Sequence, residues 1–320
     1  VSSPAAVVLH LSPTIRATGW LMKQFYGPLN RALTAQGVTV RMTDHRRETV
    51  AEEIAADEDF HILDHGRMQH PRVLNCGPSY VLPWRYLDPW GIRAFSSVAE
   101  ARFDPASVDP ALAARVMADL RALTLLPRRS REEQPEERLE VPPGCIAVFL
   151  QSETHRDVGE TCFMSVRQMV KALLAADDPR PVVVKPHPRE TDMAIFDWLV
   201  RQMRKSPRLQ VIPGNVHDIL AAASVVVTIN SAVAIEAMVH EKPVILCGAA
   251  DFHHCAQEVR RPAAMAAALA GAAARDWPHA AFLGWFFGER MIDPRAPDLA
   301  RRVLARIAAQ GFDVRRLTGN

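Results

Sequence analysis

Along this chain, short apolar runs rich in β-branched residues alternate with longer stretches in which apolar positions recur every three to four residues. The runs read as buried strands and the longer stretches as helices with one apolar face. Ala5 to Leu11 (AAVVLHL) is the first run. After the loop Ser12 to Gly19, a helical pattern extends from Trp20 to Gln36, with Leu21, Phe25, Leu29 and Leu33 on one face and Gly37 as its stop. Val38 to Thr43 and Phe60 to Leu63 read as the next two strands. Such alternation predicts a parallel sheet covered by helices.

The second half repeats the alternation more cleanly. Strands are expected at Cys145 to Gln151, Pro181 to Val184, Leu209 to Ile212, Ser224 to Ile229 and Pro243 to Leu246. Between them lie helical patterns at Cys162 to Ala176, Met193 to Lys205, Val216 to Ala222 and Ser231 to His240. Connections this short give a Rossmann-like domain. Leu299 to Gln310 is a further helix, able to cross back to the first domain.

Two stretches break the pattern. Val73 to Pro105 holds Tyr80, Trp84, Tyr86, Trp90 and Phe95 among four prolines and has no clear period. Within it, Tyr86 to Ser97 (YLDPWGIRAFSS) reads as a long shaped loop turning at Asp88-Pro89-Trp90-Gly91. Pro110 to Leu126 is helical. Pro127 to Gly144 (PRRSREEQPEERLEVPPG) is charged, bounded by proline and almost without apolar residues, the profile of an interdomain linker. The expected organisation is therefore an N-terminal Rossmann-like domain over 1–126, a linker over 127–144 and a second domain over 145–320, with a cleft between the domains.

Composition narrows the function. The chain has 320 residues, enough for two domains, with 48% hydrophobic and 23% charged residues, as in ordinary globular proteins. A net charge of +2 gives no field that argues for nucleic acid. The five cysteines are scattered and odd in number, which fits a reducing cytosol better than a disulfide framework. No Cys/His set has metal-ligand spacing. No apolar run approaches the length of a membrane helix, and the N-terminus shows no signal-sequence pattern. GxGxxG and GxxxxGK[ST] are both absent, which disfavours a dinucleotide site and a P-loop.

The chemistry-bearing residues gather at expected strand ends. Val182 to Pro188 (VVVKPHP) is a strand cut off by two prolines. These hold Lys185 and His187 in extended backbone, at the edge where open parallel sheets bind ligands. A cation and an imidazole there suit an anion such as phosphate. Thr228 to Glu236 (TINSAVAIE) is a strand ending at Asn230, followed by a helix that Ser231 could cap. Its first turn presents free N–H groups to an anion, and Glu236 could accept hydrogen bonds from a ribose diol. Gln151 to Asp157 (QSETHRD) offers Glu153, His155 and Asp157 as acids or bases. Cys247-Gly248 leaves the last strand, with Gly248 permitting a tight turn. Beyond it, Phe252 or His253 could stack on a nucleobase, although core packing is the commoner fate of a Phe. Each of these residues also has a plain structural reading as a cap, a turn or a solvated side chain.

The combination of KPHP, HDIL and TINSAVAIEAMVHEKPVILCG resembles the capsule polysaccharide biosynthesis family, which includes bacterial Kdo transferases. The resemblance covers most of residues 73–260, the YLDPWGIRAFSS loop included. It implies a GT-B-like α/β fold, two Rossmann-like domains facing a nucleotide-sugar cleft, and a metal-independent glycosyltransferase using a CMP-activated sugar such as CMP-Kdo. Carried over, Lys185 and His187 meet the donor phosphate, while Asn230, Ser231, Glu236 and Gly248 belong to the nucleotide site. Relatives often carry an acidic residue four positions after the glutamine; here that position is His155, so either Asp157 or Glu153 replaces the catalytic carboxylate or the enzyme uses a different chemistry. The expected partners are a nucleotide-sugar donor and a glycan or glycolipid acceptor, with no further cofactor and no nucleic acid. The expected location is the cytoplasm, with peripheral association at the inner membrane or with a polysaccharide assembly complex. The alternatives are a nucleotide-sugar epimerase or polyol-phosphate transferase of similar fold, and a non-catalytic nucleotide- or polysaccharide-binding subunit.

Overall fold

The computed structural model describes residues 4–19, 22–151 and 159–318. The chain divides into two compact α/β units, one formed by 1–101 with 286–320 and the other by 102–285.

The first unit is built on strands β1 (Val7–Leu11), β2 (Val40–Asp44), β3 (Phe60–Asp64), β4 (Val73–Pro78) and β5 (Arg85–Asp88), in the spatial order β2-β1-β3-β4-β5. The first four run parallel and β5 is antiparallel to β4. Every residue of β1 and β3 is buried, which is why they read as continuous apolar runs. Phe25, Leu29 and Leu33 of the predicted helical face all lie in the core; Leu21 lies outside the described residues. The α-helix proper starts late, at Gly27, with Pro28 in its first turn, and ends at Thr34. The C-terminal helix Leu299–Ala309 packs Val303 and Ile307 into this same core.

The aromatic stretch is more regular than its pattern suggests. It supplies β4 and β5, so Tyr86 is a buried strand residue and not part of a loop. What looked like a shaped loop is a turn wound around one carboxylate. Asp88 Oδ1 accepts from the N–H groups of Trp90 (2.8 Å), Gly91 (3.2 Å) and Ser97 (2.9 Å), and Oδ2 accepts from the Ser97 hydroxyl (2.6 Å).

The second unit carries β6 (Cys145–Phe149), β7 (Val182–Lys185), β8 (Leu209–Val211), β9 (Ala223–Thr228), β10 (Val244–Leu246) and β11 (Gln257–Glu258). All neighbours are parallel, in the order β11-β10-β9-β6-β7-β8. The chain leaves β6 toward β7 and β8, then returns to the other side for β9 to β11. This is the doubly wound order, and its switch point lies between β6 and β9.

The unit boundaries differ from those drawn on polarity. Helix Pro110–Leu120 packs on helix His279–Leu283 of the second unit, so closely that a Cβ on Gly284 would lie 2.7 Å from Ala113 Cα. Residues 127–144 are also part of the second unit. Arg128 pairs with Asp218 (2.5 Å), and the Asn215 amide donates to the carbonyls of Arg128 (3.2 Å) and Pro135 (3.1 Å). Polar side chains that suggested a solvated linker instead find partners on the domain surface. Among the described residues no helix is long and apolar enough to cross a membrane.

Candidate functional site

The second unit opens a cavity at its switch point, with an empty volume of about 490 Å³, its open mouth included. Phe149 and Leu150 line it from the end of β6, Lys185 to Pro188 from the end of β7, and Ser231, Ala232, Val233 and Glu236 from the segment after β9. Ser130, Arg131, Glu132 and Gln134 close it from the polar segment that precedes β6.

Three β-branched residues carry β7 into the core, and Pro186 ends it with Lys185 still buried. The Lys185 Nζ donates to the Gly214 carbonyl at 2.6 Å. Burial lowers its pKa from the ordinary lysine value. An ammonium has three donors, so this bond leaves capacity for a ligand. The turn after it is wound on His187, whose Nδ1 accepts from the Arg189 N–H at 3.1 Å.

The facing segment begins its helix later than expected, at Val233, with Ala232 in the capping position. The Ser231 hydroxyl accepts from the Val233 N–H only at 3.4 Å. Glu236 is not a solvated helix residue: it is 3% exposed. Its Oε1 accepts from the Ser130 hydroxyl at 2.6 Å, while its buried Oε2 has no hydrogen-bond partner. Desolvation raises its pKa to about 7, against the lowering effect of the Ser130 bond. His217 Nε2 lies 3.7 Å from Oε2 but spends its proton on the Arg129 carbonyl at 2.8 Å. Its Nδ1 therefore accepts from His240 Nε2 at 3.0 Å. Burial pushes His240 down to about 4, so this imidazole pair is neutral near pH 7. A carboxyl balanced near neutrality, with one oxygen awaiting a donor, thus faces a cavity that also holds a buried lysine.

Four of the residues singled out in sequence, Lys185, His187, Ser231 and Glu236, meet in this cavity. Asn230 and Gly248 do not line it. The Asn230 amide donates to Thr161 Oγ1 and the Ala249 carbonyl, both at 3.0 Å. Gly248 pairs with Cys162 across a β-bridge, and a Cβ there would lie 2.8 Å from the Thr161 carbonyl oxygen. Close approach, not a tight turn, demands glycine at this position. Phe252 is fully buried in the core. Glu153, His155 and Asp157 lie outside the described residues. Ser130, Gln134 and the two histidines behind Glu236 were missed. Ser130 and Gln134 sit in a stretch whose polarity reads as linker, and nothing in the sequence pairs His217 with His240.

The fold is that of a two-unit, GT-B-like α/β protein with a cavity at the doubly wound switch point of its second unit. The segment that builds the cavity, residues 126–263, matches the family described as capsule polysaccharide biosynthesis protein. Among curated proteins none matches by sequence. Two of the solved structures that match this chain illustrate the shared fold. The Thermosulfurimonas dismutans KpsC beta Kdo 2,7 transferase aligns with a TM-score of 0.56 and 13% identity, over 96% of this chain and 99% of that one. The beta Kdo 2,4 transferase of the same KpsC aligns with a TM-score of 0.51 and 16% identity, over 87% and 89%.

Proposed function

We propose that the protein is a glycosyltransferase of capsule or related surface-polysaccharide assembly, taking its sugar from a nucleotide-linked donor, CMP-Kdo in the first instance. The observation that carries this reading is the meeting of Lys185, His187 and Glu236 in one cavity at the switch point, within the family-matched segment. Lys185 and His187 hold the donor phosphate and stabilise the negative charge it takes up as the sugar departs. The Glu236 carboxylate accepts a ribose hydroxyl. A carboxylate of the Gln151 loop, Asp157 or Glu153, serves the anomeric carbon, with His155 as the alternative acid or base. A glycan or glycolipid hydroxyl is the acceptor, taken by the first unit.

A thermal-shift series with CMP, UDP, GDP and CDP tests the reading, because only a ligand that binds the native state raises the midpoint. A shift with CMP that is lost in Lys185→Ala supports it. A preference for UDP moves the assignment to another transferase or an epimerase of this fold, and a CMP shift without turnover of any CMP-sugar reduces it to a binding subunit.

A further inference from the structure

One carboxylate on the wall of the second unit's cavity is already taken by a cation. Glu132, from the polar segment before β6, lines the cavity together with Pro188, from the turn after β7. Arg189 is the next residue of that turn, and its side chain meets Glu132. Its Nε donates to Glu132 Oε2 at 2.8 Å, and its Nη2 lies 2.7 Å from the same oxygen. A single carboxylate oxygen thus takes two N–H groups of one guanidinium. Glu132 and Arg189 both belong to the second unit, so the pair lies within one compact body.

This pair is suited to exchange. The Arg189 side chain is 68% exposed and that of Glu132 21%, and an ion pair so open to water holds its partners weakly. The Arg189 backbone, in contrast, is pinned to the phosphate-side turn. Its N–H donates to His187 Nδ1 at 3.1 Å, and the Glu190 N–H donates to the His187 carbonyl at 3.0 Å. A long side chain on a fixed backbone changes partners without moving the turn. A guanidinium fork fits phosphate as well as carboxylate. A phosphate arriving beside Lys185 and His187 also brings a second negative charge to the wall that carries Glu132. The two anions repel, and the half-exposed Glu132 side chain has water to turn to once Arg189 lets it go.

We propose that Arg189 is a further phosphate-binding residue of the donor site and that Glu132 is its placeholder. The donor phosphate displaces the Glu132 carboxylate from the guanidinium and takes its position there. This rests on the nucleotide-donor reading above. The exchange is one of ion pairing alone, with no covalent bond formed or broken.

Isothermal titration of the whole chain with CMP, at constant ionic strength, tests the exchange. Arg189→Ala is expected to weaken CMP binding about 10- to 100-fold. Arg189→Lys keeps the charge without the fork and is expected to recover only part of that loss. Glu132→Gln removes the competitor and is expected to tighten CMP binding about two- to fivefold. Glu133→Gln makes the same change of charge at a neighbour that does not line the cavity, and is expected to leave affinity unchanged. Weaker binding in both Arg189→Ala and Glu132→Gln makes the pair a clasp on the cavity wall and overturns the exchange. Equal tightening in Glu132→Gln and Glu133→Gln reduces the effect to overall charge and overturns it as well. Unchanged affinity in Arg189→Ala, with CMP binding still lost in Lys185→Ala, overturns the exchange and leaves the donor reading intact. A wild-type protein that binds none of CMP, UDP, GDP and CDP overturns the donor reading, and this assignment with it.

Discussion

Replacing Glu236 by Gln removes one ionisable group from the cavity while keeping an oxygen for the Ser130 hydroxyl. The folded pKa of Glu236 stands at about 7, against an ordinary value of 4.5. At about 1.4 kcal/mol per unit, that gap corresponds to about 3 kcal/mol of pH-dependent stability. The sign follows from proton counting. Between pH 4.5 and 7 the folded state holds a proton that the unfolded state has released, so stability falls as pH rises through this window. The stabilising contribution is complete below 4.5 and gone above 7. The Gln amide puts an N–H donor where Oε2 stood and shifts stability by an amount independent of pH. Urea denaturation of both proteins from pH 4.5 to 8 therefore reads the difference directly. The variant is expected to gain on the wild type by about 3 kcal/mol across the range, whatever the offset at either end. The buried histidines, which act in the opposite direction as they lose their protons, cancel in the comparison. Nucleotide binding adds a second readout. If ribose donates to the carboxylate, CMP affinity in the wild type rises toward pH 7 by up to about tenfold per unit, and the Gln variant shows no such rise. A stability difference that stays flat with pH would refute the claim that Glu236 is buried and uncompensated.

Other perturbations separate binding from folding. Lys185→Ala is expected to abolish the CMP midpoint shift; retention of the full shift would remove Lys185 from the phosphate site. Ser130→Ala removes the hydrogen bond that holds the Glu236 pKa down, so the pH at which CMP affinity levels off should move upward in a binding titration. Gly248→Ala puts a methyl 2.8 Å from both Ile229 Cγ2 and the Thr161 carbonyl oxygen. It should cost roughly 1–3 kcal/mol in chemical denaturation, with the nucleotide shift retained, because Gly248 does not line the cavity. Asp88→Ala strands the N–H groups of Trp90, Gly91 and Ser97 and should destabilise the first unit by roughly 2–4 kcal/mol.

The sequence by itself determined both sheets in outline. A buried parallel strand has to be apolar on both faces, so VVLHL, CIAVF and VVVK could hardly be read otherwise. It also determined which polar residues stand at the end of β7, since prolines follow both Lys185 and His187. Strand order was not legible. Only the tertiary structure placed β9 beside β6, and that neighbourhood brings Glu236 within one cavity of Lys185, 51 positions earlier in the chain. Polarity misled at 127–144, because a charged segment reads the same whether water or a domain surface satisfies it. The Ser130 hydroxyl on Glu236 and the Arg128–Asp218 pair decide between the two. The Asp64–His65 pair was equally silent. Neighbouring residues in a strand point to opposite faces, and only the left-handed turn at His65, imposed by Asn75 and the Cys76 carbonyl, folds the imidazole back onto the carboxylate. Local pattern settles what each segment is, and long-range pairing settles which side chains meet, so the chemistry of this protein waited on the second.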